Sequence, residues 1–237
     1  FGQGNSAGRS TSLFHSILNL MRTGGAKGPS ASEKQKAHEL YLRGRFEWSS
    51  RTPDSLNRAL DYFLQAVVHD PANAQAYAGL ADTYLLLREF TLMPENEAYD
   101  RAIAASKKAI ELDDSLADAH RALGFAEIYR NWDYQAGERE FRRAMELNPR
   151  DAVTHLWFAN AFAGPGWYGE CLREIDRAQE LDPSAPAILA DKGLMLFQSG
   201  QEQQGLELER QVERANPEFL SPHRYLASMS FSLRDYR

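Results

Sequence analysis

RAMELNP at 143–149 and RAQELDP at 177–183 are one phrase written twice, 34 residues apart. Weaker copies stand on both sides: QAVVHDP at 65–71, KAIELDD at 108–114 and QVERANP at 211–217. Their last residues, Pro71, Asp114, Pro149, Pro183 and Pro217, are separated by 43, 35, 34 and 34 residues. An alanine sits five places before four of these ends: Ala66, Ala109, Ala144 and Ala178. A residue preceding proline avoids the α conformation, so a helix running into this phrase must stop there. The next residues, Arg150-Asp151 or Ser184-Ala185-Pro186, supply an Asp or Ser cap and an early proline, and start a new helix. Each unit is therefore a helix pair, and the fold class is all-α.

Working outward, the first unit opens near Glu33 with AHELYLRGRFEWSS and places Gly44 where its two helices touch. After an SRTPDS turn, Ala59, Phe63 and Ala66 fall on one inward face. The second unit uses Tyr77, Leu80, Ala81 and Tyr84. Its second helix, with Ala102 and Ala109, is expected about nine residues late, after a loop carrying Phe90, Leu92 and Met93 that folds back on the array. The third unit uses Leu123, Gly124, Gly137, Phe141 and Ala144. The fourth uses Phe158, Ala159, Phe162, Cys171, Ile175 and Ala178, with GPGWYG as its turn. The fifth uses Leu189, Gly193, Leu196, Gly205 and Val212. From Pro222 a sixth unit begins and stops after one helix. The array thus covers 33–237 as five repeats and a terminal half-repeat. Residues 1–32 form an arm, in which Leu13, Phe14, Ile17, Leu18 and Met21 share one face of a predicted helix at about 12–22, followed by a Gly-rich tether.

The 34-residue period, with its alanine and proline, resembles the tetratricopeptide repeat (TPR). AHELYLRGRFEWSSRTPDSLNRALDYFLQAV and YRNWDYQAGEREFRRAMELNPRDAVTHLWFA, with the long connection between them, look like the TPR region of bacterial CadC-like winged-helix regulators, adenylate cyclases and serine/threonine kinases. The likeness covers roughly 37–236. It implies a right-handed superhelical solenoid of helix pairs whose first helices line a concave groove. Carried onto this sequence, the groove positions are Tyr41, Arg45, Trp48, Asp82, Arg121, Phe125, Tyr129, Trp157 and Asn160. This aromatic and arginine-rich set has the composition of binding hot spots. Only Arg45, Arg121 and Asn160 partly match the paired Lys and Asn by which some members grip a C-terminal carboxylate, so that mode is not expected.

Chemistry is sparse. His120, His155 and His223 share one repeat position but have no second ligand one turn away, which favours packing over zinc. Cys171 takes a slot that Ala59, Ala102 and Gly137 fill elsewhere, so it reads as a small buried side chain. GGAKGPS at 24–30 lacks the spacing of a phosphate-binding loop. No catalytic constellation, metal site or cofactor is expected. The net charge of −6 argues against nucleic acid as partner, and no run reaches the length of a membrane helix. The start at Phe1 reads as a processed product or fragment, with the bacterial envelope or exterior the favoured location.

Protein or peptide partners remain, including other copies of this chain. A terminal repeat needs a polar outer face, yet the last helix offers Tyr225, Leu226, Met229, Leu233 and Tyr236 as an open C-terminal face. Docking of the arm on the end of a second copy predicts a self-assembling, head-to-tail scaffold, a ring or a filament. The rival expectation is a ligand- or peptide-sensing module of a signalling or transcriptional regulator.

Overall fold

The computed structural model describes residues 28–164 and 166–234; the expectations for the 12–22 arm and for Tyr236 lie outside them. Eleven helices are present among the described residues, and no strand. They fall into two compact units, one ending at Leu147 and one starting at Asn148. The first holds α1 (Ala31–Ser49), α2 (Pro53–His69), α3 (Ala74–Phe90), α4 (Glu95–Leu112), α5 (Ala117–Asn131) and α6 (Tyr134–Leu147). The second holds α7 (Ala152–Ala163), α8 (Tyr168–Leu181), α9 (Pro186–Gln198), α10 (Glu202–Ala215) and α11 (Leu220–Arg234).

Local chemistry sets the helix starts. Ser30 and Thr52 each build a reciprocal capping box, with Glu33 and Ser55 respectively. Asn73 accepts from the Ala76 amide, and Asp151 accepts from the amides of Val153 and Thr154. Pro53 and Pro186 open α2 and α9 where their missing N–H costs nothing.

Packing follows the repeat. Within each unit a helix pairs with its successor, and the first helices of successive repeats also lie side by side: α1 with α3, α3 with α5, α7 with α9, and α9 with α11. Phe63 of α2 is the wedge that sets this spacing. Its ring lies where a Cβ on Gly44 or on Gly79 would come within 2.6 Å, so both helices approach it through bare backbone. Phe141 and Ile175 occupy the same place, eight residues before their phrase ends, and are likewise fully buried. Burying such a side chain contributes about 1.5–3 kcal/mol.

The long connection of the second repeat is not a loop folded back on the array. The apolar run LLLREF continues α3 to Phe90, Pro94 caps α4 directly, and only residues 91–94 separate them. The extra residues lengthen the two helices to 17 and 18 residues, and Leu92 at the tip is fully exposed.

Candidate protein-binding faces

In the first unit the face made by α1, α3 and α5 is held by ions. Asp82, fully buried on α3, accepts from Arg121 of α5 at 2.6 Å and from Arg45 of α1 at 3.3 Å, both on Oδ2. Asp118 accepts from Arg121 at 2.9 Å and from Arg45 at 3.4 Å. Two guanidiniums and two carboxylates thus tie three repeats together. Loss of solvent pushes Asp82 up to about 6 despite both cations, whereas Arg121 holds Asp118 below the usual carboxylate range. Asp82 Oδ1 has no hydrogen-bond partner among the described residues.

Along α5 the stripe continues one turn at a time through Phe125 and Tyr129. These rings stack at 4.6 Å, and Tyr129 stacks in turn on Tyr99 of α4 at 6.1 Å. The Arg88 guanidinium caps both tyrosines, 5.4 and 5.9 Å from their centroids. Tyr41 is half-buried and tilts against Phe63.

Several expected groove residues are therefore inside the protein. Trp48 is buried, with Arg45 and Arg51 over its ring at 4.9 and 5.5 Å; Arg121 and Asp82 are buried as ion partners. Arg45, Tyr41, Phe125 and Tyr129 keep part of their surface in solvent. The periodicity marks the face that first helices share but does not separate the side chains that fill the seams from those that stand above them.

In the second unit Trp157 is buried on α7, and Asn160 donates to Asp191 of α9 at 2.7 Å. Tyr225 of α11 donates to the other Asp191 oxygen at 2.8 Å. Asp191 thus joins three successive first helices, the role Asp82 has in the first unit. Met229, expected on an open face, is buried, because α11 turns it toward the helices it caps. Leu226 and Leu233 are half-buried, and the side chains left out are Leu220 and Phe231.

His120 and His155 each bridge the two helices of their pair. His120 Nδ1 meets Glu140 at 2.6 Å and Nε2 faces the Asp114 carbonyl; His155 meets Glu174 at 2.6 Å and faces the Pro149 carbonyl. The Cys171 thiol is buried and pushed up to about 11 by loss of solvent, which makes it a poor nucleophile. Among the described residues no group of His, Cys, Asp and Glu is placed to hold a metal ion, and no helix is long and apolar enough to cross a membrane.

Helix pairs stacked through small-residue seams define the class: the chain has the tetratricopeptide-repeat fold, an all-α solenoid. No family model matches it. Its fold matches TTC0263, a TPR protein of Thermus thermophilus, with a TM-score of 0.61 and 20% identity over 84% of this chain and 98% of that one. PilF of Pseudomonas aeruginosa superposes at 0.54, with 23% identity over 70% and 71% of the two chains. In sequence it is similar to the transcriptional regulator HilA of Salmonella typhimurium, 29% identical over 186 residues, which is 77% of this chain. The match spans about a third of HilA, 34% of its length.

Proposed function

We propose that this chain is a non-enzymatic protein-interaction scaffold that assembles head to tail through the ends of its repeat array. One observation carries the reading: the first and last of the described helices leave apolar side chains in water. On α1, Leu42 and Phe46 lie four residues apart on one face, and Phe46 is 72% exposed. On α11, Leu220 and Phe231 are exposed, Phe231 at 67%. Terminal repeats of a solitary solenoid carry polar outer faces. Two different apolar ends on one chain make a heterologous contact, which closes into a ring or propagates. Leu13, Phe14, Ile17, Leu18 and Met21 lie upstream of the first of these faces in sequence and are proposed to join the same contact.

Light scattering across a concentration series tests this. The intact chain is expected to associate, and Phe46→Glu, Phe231→Glu and deletion of residues 1–30 are each expected to shift it to monomer. An intact chain that stays monomeric at every concentration overturns self-assembly.

The similarity to HilA favours a second reading, a peptide- or ligand-sensing module of a bacterial regulator. Here the working surface is the face around Arg45, Tyr41, Phe125 and Tyr129, where an arginine and three aromatics keep solvent contact beside a rigid ion network. Substituting Phe125 and Tyr41 by Ala then abolishes capture of a foreign peptide without changing the association state.

A further inference from the structure

Glu209 breaks the packing rule of this fold. It stands eight residues before Pro217, where three other repeats place Phe63, Phe141 and Ile175 and the second places the small Ser106, and it is as completely buried as they are. Neither carboxyl oxygen has a hydrogen-bond partner among the described residues. The side chain lies against bare backbone: a Cβ on Gly193 would come within 2.7 Å of its Oε1. Asp191, itself a carboxylate, bears on it and accepts from Tyr225 of α11 and Asn160 of α7.

No cation hydrogen-bonds the Glu209 carboxyl among the described residues. Lys192 of α9 turns away to Asp176 and Gln179, at 2.6 and 2.7 Å. On the surface Glu213 of α10 meets His223 of α11 at 2.9 Å. Meanwhile α11 is lightly held, burying only Ser221, Pro222 and Met229 among its described side chains.

We propose that α11 is a protonation-controlled latch, docked on α9 and α10 while the Glu209 carboxyl keeps its proton and released when that proton is lost to solvent. Burial, reinforced by the Asp191 carboxylate, pushes Glu209 up to about 8. The neutral acid can share the interior with Asp191; the carboxylate is costly there, and opening of the last helix, which packs on α9 and α10 and bonds Asp191 through Tyr225, relieves it. Release would remove Tyr225 from Asp191 and replace the α11 end face by that of α9 and α10. The consequence for assembly rests on the reading above, but the latch itself does not.

Hydrogen exchange of the full chain, corrected for intrinsic rate, tests it at pH 6 and pH 8.5. Protection over 220–234 is expected to fall tenfold or more in the natural chain, the linkage expected of a carboxyl with a raised docked pKa. It should stay flat in Glu209→Gln and in Glu209→Ile, the latter carrying the residue of the matching position. His223→Gln should keep most of the fall. A flat natural chain, a fall that persists in both Glu209 variants, or one abolished by His223→Gln alone overturns the latch. Light scattering on the same samples keeps the two ideas apart: a monomer whose α11 opens with pH retains the latch and sinks self-assembly.

Discussion

His120 and Glu140 meet at 2.6 Å across α5 and α6, and the other ring nitrogen of His120 faces the Asp114 carbonyl at 3.1 Å. Both nitrogens look at acceptors, so only the imidazolium, with a proton on each, satisfies the pair. The Glu140 hydrogen bond accordingly raises the histidine above its ordinary range, and Glu174 does the same for His155. A folded-state pKa above the unfolded one gives stability that is complete below about 6.5 and lost as pH rises through the raised value. Denaturant unfolding from pH 6 to pH 9 is expected to show a decline, with a shallower slope in His120→Gln and His155→Gln. Equal slopes in all three proteins would discard the account.

Arg121 is the hub of the first unit because it is almost wholly buried and faces two acids. Arg121→Ala strands Asp82 with Arg45 alone, in a site that already pushes the carboxyl up to about 6. Breaking a buried pair from one side costs about 3–5 kcal/mol. Replacing both partners, as Arg121→Met with Asp82→Leu, removes the stranded charge and should recover most of that loss. Chemical denaturation of the single and double variants measures the difference. A double variant as unstable as Arg121→Ala would mean that packing, not charge, holds the three first helices.

The wedge at Phe63 makes a sharper steric prediction. Gly79→Ala places a methyl group within 2.6 Å of a fully buried ring, and overpacking of this kind costs about 1–3 kcal/mol. Phe63→Leu shortens the wedge and should make Gly79→Ala cheaper, giving a coupling of about 0.5–3 kcal/mol in a double-mutant cycle. Strict additivity would separate the two sites and refute the contact.

These residues show what the chain makes legible. The period of the ELNP-like phrases is enough to assign helix pairs, since helix ends are written in local chemistry: a cap, a proline, a small residue. Gly44 and Phe63 are likewise readable, because close approach demands a residue without a Cβ. The faces are harder. Arg121 and Phe125 occupy successive turns of one stripe, yet one is buried and the other half-open, a distinction made by Asp82, thirty-nine positions away. The second repeat misleads for a related reason: Phe90 and Leu92 are apolar, and only helix propagation decides that the first extends α3 while the second is left in water. Glu209 is visible as an exception once the repeats are aligned on their prolines, but its lack of a partner is a property of three dimensions.

Trp132 offers a test of backbone rather than side chain. It closes α5 with φ of 56°, in the left-handed region usually given to glycine, and its amide donates back to the Ile128 carbonyl at 2.9 Å. A side chain there crowds its own carbonyl, at about 1–2 kcal/mol. The indole recovers little of this by burial, since it is 73% exposed. Trp132→Gly and Trp132→Asn are therefore expected to raise stability by about 1 kcal/mol, glycine giving back part of its gain through greater freedom in the unfolded chain. Thermal unfolding of the two variants beside Trp132→Ala separates the causes. Alanine keeps the strained Cβ and should gain nothing, whereas an equal gain in all three would trace the effect to loss of an exposed apolar ring.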